Sequence, residues 1–332
     1  MKILIITTDY YPDLTPNTYR WEAIATHWVN QGIEVHVLAP HRYSESGFII
    51  RKGVQVHRKG SNTLLDWVYN AFKIKKLRNR VRTEPDQGKP AKWQILLNKL
   101  VSFTWRKIYW PDGSCLWYFT ARKKAVQLIK TYQPDVIISI CLPFTATLIG
   151  SYCKRKFPNL VWISDVQDPF SMLAEQPKNN HTIYRSLNYR AERKAIKTAD
   201  KIVYTLDRAR EAYARTFGRR KKMHVIPPLF DDQLSRSVSE LPALFDTEKI
   251  NLAYFGAFYF GIREPNAFLD LLSQTIEQYP SLGLKLQVHF FGGIEPEFMA
   301  VFEKYADLSP VLQFHGLVER AVVYQRKKET DF

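Results

Sequence analysis

One recurrence constrains this chain more than any other feature. Short runs rich in Val and Ile, each closed by a turn residue, alternate with helix-length segments of mixed polarity. Through the first two thirds the runs are Lys2–Thr7, Val35–Pro40, Asp135–Ile140, Val161–Asp165, Lys201–Leu206 and Met223–Ile226. Between them lie Arg20–Gln31, Ala121–Tyr132 and Tyr184–Thr198, whose apolar positions recur at helical spacing. A strand that is apolar on both faces must be covered on both, as in a parallel sheet whose crossover helices pack above and below it. The alternation therefore predicts βαβ units and an α/β fold, with one doubly wound domain over residues 1–226. Pro227-Pro228 and the polar stretch that follows predict a hinge over 227–245. A second βα series fills 246–332: strand Ile250–Gly256, a helix from about Asn266 to Tyr279, strand Leu284–Phe291, a helix near Glu297–Tyr305 and strand Val311–Gly316. The last twelve residues start another helix. Three strands are few for a doubly wound domain, so the second domain is expected to be incomplete.

Charge is distributed unevenly along this frame. The chain carries 48 Lys+Arg against 32 Asp+Glu, a net +16, and residues 51–130 alone hold +15. Residues 221–332 are slightly acidic at −4, which again separates two regions of different character. A strong basic excess points to a polyanionic partner: nucleic acid, anionic lipid or a phosphorylated substrate. With 45% apolar and 14% aromatic residues the chain is not disordered. The three cysteines, Cys115, Cys141 and Cys153, form no CxxC pair and leave an odd one over, which disfavours a disulfide framework or a zinc cluster and fits a reducing cytoplasm. The apolar N-terminal run is short and lacks a cleavage site, so it reads as a strand. The longest apolar stretch, Val136 to Gly150, falls short of the ~20 residues that cross a bilayer.

Within the basic segment, Leu65, Val68, Tyr69 and Phe72 recur at helical spacing and Lys73, Lys75, Lys76, Arg78, Arg80 and Arg82 follow directly. A second aromatic stretch ends in Trp105 and Trp110, with Lys99, Arg106 and Lys107 interspersed. Amphipathic rings beside cations suit the headgroup layer of an anionic membrane. A pair of core helices with a solvated basic face would produce the same pattern, and both readings stay open. Nucleic-acid binding ranks behind them, because no helix-turn-helix, zinc finger or RNP-type strand is visible.

Neither GxGxxG nor GxxxxGK[ST] occurs. The nearest equivalent is Gly256-Ala257-Phe258-Tyr259-Phe260-Gly261-Ile262-Arg263-Glu264-Pro265, which joins a strand to a helix. Its glycines permit close backbone approach, and the free amides of the helix start, with Arg263 beside them, suit a phosphate. Gly292-Gly293 follows the next strand on the same sheet edge, where open α/β sheets bind ligands. In the first domain, the loop after the first strand offers Thr15, Asn17, Thr18 and Arg20 as hydrogen-bonding groups. Ordinary N-capping by Asn17 or Thr18 would also explain that composition. Ser164-Asp165-Val166-Gln167-Asp168-Pro169 places two carboxylates at the end of a buried strand, suited to general-base or substrate-hydroxyl contact or to simple turn chemistry. No histidines stand at metal-ligand spacing, and His36, His289 and His315 fit satisfied core positions.

Taken in order, these residues resemble the family 4 glycosyltransferases of GT-B fold. The resemblance rests on Tyr11-Pro12-Asp13, Arg20, Gly32-Ile33-Glu34-Val35-His36, Pro134-Asp135-Val136-Ile137-Ile138-Ser139, Asp165-Val166-Gln167-Asp168-Pro169-Phe170, Ala199-Asp200-Lys201-Ile202-Val203 and Val225-Ile226-Pro227-Pro228. Tyr254-Phe255-Gly256-Ala257, Phe290-Phe291-Gly292-Gly293 and Phe314-His315-Gly316 extend it over the second domain. It implies two Rossmann-like domains facing a crevice, the second incomplete. It also implies transfer of a sugar, usually with retention and without a metal, from a nucleotide-diphosphate donor to a lipid-linked or glycan acceptor. No cofactor is implied, since the nucleotide sugar is itself a substrate. On this resemblance Arg263 neutralises the leaving diphosphate, Gly256, Gly261, Gly292 and Gly293 shape the donor site, Asp168 serves catalysis, and Thr15, Asn17, Arg20 and Asp165 form the acceptor side. Three departures stand out: Thr15-Pro16-Asn17 replaces a glycine pair, Ala257 stands where many members have arginine, and the paired glutamates that grip the donor would fall beyond Phe332.

The expectation is a peripheral enzyme of cell-surface glycan synthesis at the cytoplasmic face of the plasma membrane, meeting anionic lipid through the basic segment with Trp105 and Trp110. A truncated remnant that keeps only acceptor or membrane binding, and a basic nucleic-acid-binding protein, are the alternatives.

Overall fold

The computed structural model describes residues 1–13, 15–41, 47–64, 66, 104–172, 177–228, 242–258, 261, 263–294, 296–316, 318 and 320–331, and the structural statements below concern these. The expected basic helix with Lys73, Lys75, Lys76, Arg78, Arg80 and Arg82 lies outside them. The described residues form two compact units, up to Pro228 and from Pro242 onward.

The first unit runs β1 (Lys2–Ile6), α1 (Pro16–Asn30), β2 (Glu34–Ala39), β3 (Phe48–Arg51), β4 (Val54–Arg58), the single turn α2 (Trp105–Ile108), α3 (Trp117–Tyr132), β5 (Val136–Cys141), α4 (Phe144–Lys156), β6 (Val161–Val166), α5 (His181–Thr198), β7 (Lys201–Tyr204), α6 (Asp207–Phe217) and β8 (Met223–Val225). Its strands order as β3-β4-β2-β1-β5-β6-β7-β8. All neighbours pair parallel except β3 with β4. The order reverses at β1, which pairs with β2 on one side and β5 on the other, so the chain leaves these strands in opposite directions and opens a crevice at their C-terminal ends.

Alternation along each strand divides the core. Ile3 and Ile5 of β1 pack with Val35, Val37, Ile138 and Ile140 under Trp21 and Ala25 of α1. Leu4 and Ile6 face the other way, onto Ile137, Trp162 and the helices that supply Trp117, Phe144, Ile149 and Tyr213. Helix α3 buries Trp117, Ala121, Ala125, Leu128 and Ile129, one stripe at spacings of three and four. Helix α4 begins at Pro143, which has no capping side chain. Buried Asp112 caps it from outside: Oδ2 accepts the Thr145 amide at 2.9 Å and Oδ1 accepts the Thr145 hydroxyl at 2.8 Å and the Ser114 amide at 3.0 Å.

The second unit runs β9 (Ile250–Phe255), α7 (Asn266–Gln278), α8 (Pro280–Lys285), β10 (Leu286–Phe291), α9 (Pro296–Phe302), a 3₁₀ stretch Glu303–Leu308, β11 (Leu312–Gly316) and α10 (Arg320–Glu329). The sheet order is β11-β10-β9, all parallel. Its core is unusually aromatic, with Phe258, Phe290, Phe298 and Phe302 around Leu269, Leu272 and Val288. The strand expected from Leu284 starts instead at Leu286, because Pro280 opens the helical turn α8. After α10 the chain returns to β9, where Asp331 Oδ2 accepts the Asn251 amide at 2.9 Å and the Asp331 amide donates back to the Asn251 carbonyl.

Each unit carries one buried histidine pair on its sheet. His36 Nδ1 lies 3.1 Å from His57 Nε2, and His36 Nε2 lies 2.8 Å from Glu34 Oε1. In the second unit His289 Nδ1 lies 3.0 Å from His315 Nε2, and His289 Nε2 lies 3.1 Å from Asn251 Oδ1. The Asn251 amide group donates to the Asp246 and Lys249 carbonyls, which leaves its oxygen as the acceptor, so His289 donates through Nε2 and accepts from His315 through Nδ1. Burial, reinforced by the partner imidazole, pushes His57 and His289 down to about 4. The unfolded chain therefore takes up these protons first as acid is added. Stability contributed by keeping His57 and His289 neutral is intact above pH ~6.5 and is lost as the pH falls toward 4. Urea midpoints measured from pH 7 to 4.5 are expected to drop, and His57→Gln to recover roughly 1–2 kcal/mol of that slope.

Among the described residues no helix is long and apolar enough to cross a membrane.

Candidate functional site

In the first unit, the loops after β1 and β6 place polar groups at the C-terminal edge of the sheet beside the switch point. The α1 N-terminus falls at Thr15, whose hydroxyl accepts the Thr18 amide at 3.1 Å; the capping role lies there and not with Asn17 or Thr18. Thr15 is thereby committed to the helix. Asn17 and Arg20, two and five residues after Thr15, take no part in the cap. Arg20 Nη2 sits 3.4 Å from Asp165 Oδ1, and the two side chains are 9% and 2% exposed. Gln167 Nε2 donates to Asp165 Oδ2 at 3.1 Å. Burial pushes the Asp165 carboxyl above the usual carboxylate range, and Arg20 pulls it back.

Around this pair buried polar atoms stand unsatisfied. Arg20 Nε and Asn17 Oδ1 have no hydrogen-bond partner, nor does the Tyr10 hydroxyl, whose charged neighbours are Glu22, Arg51 and Arg58. Such orphans are rare in folded proteins and call for a ligand, an ion or water at the site. Asp168, three residues past Asp165, is exposed with no side-chain partner among the described residues. Sequence reasoning singled out Asn17, Arg20, Asp165 and Asp168 but missed Gln167.

It also missed the residue that holds the loop after β6 in place. Glu192 of α5 is 3% exposed and accepts from the Phe170 amide at 3.2 Å, the Ser171 amide at 2.9 Å, the Ser171 hydroxyl and the Tyr213 hydroxyl at 2.5 Å. That one carboxylate joins α5 and α6 to the strand-end loop carrying Asp165 and Asp168. The available signal was its spacing: Glu192 shares a helical face with buried Asn188, Ala195 and Ile196. Trp110 likewise turns inward at its polar end, its indole N–H donating to Asn188 Oδ1 at 2.9 Å, while Trp105 is half-buried.

In the second unit the two glycine-rich exits close on one another. The Gly256 amide donates to the Phe291 carbonyl at 2.9 Å, and the Gly292 amide to the Gly316 carbonyl at 2.8 Å. Gly292 has φ +148°, and a Cβ there would lie 2.0 Å from the Gly256 carbonyl oxygen, so only glycine fits. Arg263 Nη1 lies 3.5 Å from where a Cβ on Gly256 would sit. Arg263 is exposed and has no carboxylate partner among the described residues. Next to it α7 starts without a side-chain cap and without an acidic residue in its first turn, leaving its N-terminal amides free. A cation, free amides and bare backbone thus meet at one strand end, a combination that favours an anion. Gly261 is placed differently, since its amide is taken by the Glu264 carboxylate. Gly293 is exposed beyond Gly292. Among the described residues no cluster of His, Cys, Asp and Glu could hold a metal ion.

Comparison with known proteins places this architecture. The chain is similar over 99% of its length to sucrose-phosphate synthase from Thermosynechococcus elongatus, covering 74% of that chain with a TM-score of 0.61 at 14% identity. It is similar over its whole length to Anabaena HepE in complex with UDP-glucose, covering 72% of that chain with a TM-score of 0.56 at 14% identity. The catalytic domain of Arabidopsis thaliana starch synthase IV, bound to ADP and acarbose, matches 98% of the chain and 76% of its own, with a TM-score of 0.59 at 9% identity. The fold is therefore GT-B. Residues 84–234 match the family model Glycosyltransferase Family 4. No curated protein matches by sequence.

Removing Arg20 would leave Asp165 buried without its cation. Arg20→Ala is expected to cost about 3 kcal/mol in urea unfolding, whereas Asp168→Ala, at an exposed position, should stay within about 0.5 kcal/mol.

Proposed function

We propose that this protein transfers a glycosyl group from a nucleoside-diphosphate sugar, held by the second unit, to a hydroxyl of an acceptor held by the first. The observation that carries the reading is Arg263, exposed and unpaired among the described residues, beside the Gly256–Gly292 closure and the uncapped start of α7. As the bond between the anomeric carbon and the diphosphate oxygen breaks, negative charge grows on the leaving diphosphate. A guanidinium and helix-start amides fixed in advance at that point stabilise the transition state more than the ground state. On the acceptor side, Asp168 orients the attacking hydroxyl and Arg20 with Asp165 and Asn17 holds the acceptor's other polar groups. Transfer proceeds with retention, as the family resemblance implies.

The acceptor is a lipid-linked or polysaccharide chain, and the protein works at the surface of an anionic membrane. The local +15 of residues 51–130 supports this. So do the exposed apolar side chains Ile108, Ile183 and Leu187, which stand together because Tyr184 of α5 donates to the Ile108 carbonyl at 2.7 Å. Exposed Arg190 and Lys194 fall on the same face of α5 as Ile183 and Leu187, and exposed Lys107 precedes Ile108, the mixture a headgroup layer accommodates.

Isothermal titration with UDP, GDP and their sugars tests the donor reading. Binding is expected below millimolar, and Arg263→Gln should lower turnover by about 10²–10³-fold; no binding at millimolar ligand would sink it. Flotation with phosphatidylserine liposomes tests the membrane reading. Neutralising Lys73, Lys75, Lys76, Arg78, Arg80 and Arg82 together should release the protein into the soluble fraction, and unchanged retention would refute it.

A further inference from the structure

Away from the Arg20–Asp165 pair, the first unit has a cleft of about 830 Å³ lined by Ser171, Met172, His181, Arg185, Ser186, Tyr189 and Arg190. Five of these lie on α5, and two are the first residues past the Asp165–Phe170 loop, so the cleft adjoins the strand end that carries Asp168. No acidic side chain is among the described lining residues. Arg185 and Arg190 are exposed and form no ion pair or hydrogen bond among the described residues, although ion pairs are common elsewhere on this unit, as at Arg51–Glu22 and Arg220–Glu211. The one acidic residue of α5, Glu192, faces the core and is saturated by Ser171, Phe170 and Tyr213. Glu192 therefore fixes the Ser171 edge of the cleft and, among the described residues, leaves the cations without an acidic partner. Tyr189 is held by stacking on Phe217, with ring centroids 5.1 Å apart.

We infer that this cleft binds the phosphate of a phosphorylated ligand, through Arg185 and Arg190 with His181 and Ser186 as further donors. Arg185 and Arg190, five residues apart on α5, bring two guanidinium groups to the cleft, which match a group carrying close to two negative charges and several acceptor oxygens, as a phosphate does and a single carboxylate does not. The volume exceeds what a phosphate fills, and Met172 and Tyr189 offer apolar wall to the organic part. Resting on the acceptor assignment of the first unit, the ligand is the acceptor, a sugar phosphate or a lipid phosphate whose hydroxyl points toward Asp168. Anion binding itself does not depend on that assignment.

The test uses the full chain carrying Arg263→Gln, which silences the anion site of the second unit, and inorganic pyrophosphate as probe in isothermal titration. One site is expected, weakened at least tenfold when Arg185→Gln and Arg190→Gln are added and within about threefold when both are Arg→Lys. The Lys pair keeps the charge, so its near-normal binding separates lost recognition from a lost fold. A change under twofold in the double Gln variant overturns the inference. Competition identifies the source: displacement by a soluble hexose phosphate assigns a free acceptor, displacement by vesicles containing phosphatidate a lipid-borne one, and displacement by neither overturns the site. Failure of the donor reading appears separately, as absent UDP and GDP binding to the unmodified chain with pyrophosphate binding intact.

Discussion

Strand β1 is filled on both edges by partners that come later in the chain: β2 beginning at Glu34 and β5 beginning at Val136. Until both arrive, the backbone groups of Lys2–Ile6 have no ladder and Ile3, Ile5, Leu4 and Ile6 have no cover. Everything at the candidate acceptor site inherits its position from this double pairing. The loop after β1 leads into the first turns of α1, which carry Asn17 and Arg20, while Asp165 stands near the end of β6 and Asp168 in the loop after it. They meet only because β5 lies between β1 and β6 with register matched across all three strands. A 145-residue separation, from Arg20 to Asp165, is closed by sheet geometry and not by any local preference of either segment.

Two buried carboxylates near the ends of β6 and α5 show opposite uses of the same chemistry. Glu192 receives four hydrogen bonds from three residues and behaves as a structural rivet. Asp165 has a long contact to Arg20 and one amide from Gln167, and its surroundings leave donors and acceptors unfilled. A low-dielectric interior penalises such gaps, so a site that keeps them is poised to gain when a polar molecule fills them. The rigidity of the first arrangement sustains the incompleteness of the second.

The strands of both units were readable because parallel, doubly covered strands are written as near-continuous Val and Ile, as in Val136–Cys141 and Val161–Val166. Elements without that signature were not. The β3–β4 hairpin turns at Lys52-Gly53 and has Phe48 and Ile50 exposed; its apolar runs are no longer than Phe48-Ile49-Ile50, and β4 alternates Val54 and Val56 with polar Gln55 and His57. Helix α4 follows β5 after only two residues and shares its apolar composition, and the two merged into one stretch from Val136 to Gly150. Boundary chemistry misled in the same way: Thr15 caps α1 although Asn17 and Thr18 are equally good capping residues, because Pro16 suits the first helical turn. At the site, Arg20, Asp165 and Asp168 were legible as polar residues at strand ends. Glu192 and the α5 cleft were not, since a carboxylate in a basic helix reads as an ordinary surface charge until its neighbours are known. The glycine exits were legible as a pair, but not that the backbone of one occupies the space a side chain on the other would need.

That last contact makes the two exits inseparable. The obstacle at Gly292 is a main-chain carbonyl, which no rotamer change can move, so any residue with a side chain there would have to push β9 and β10 apart at their ends. The loop after Gly256 and the loop after Gly292 can therefore drift in length and sequence beyond the glycines, but their point of closure cannot. Within descendants of this chain, variation in what the second unit accepts would be confined to residues downstream of a hinge pin that itself stays invariant.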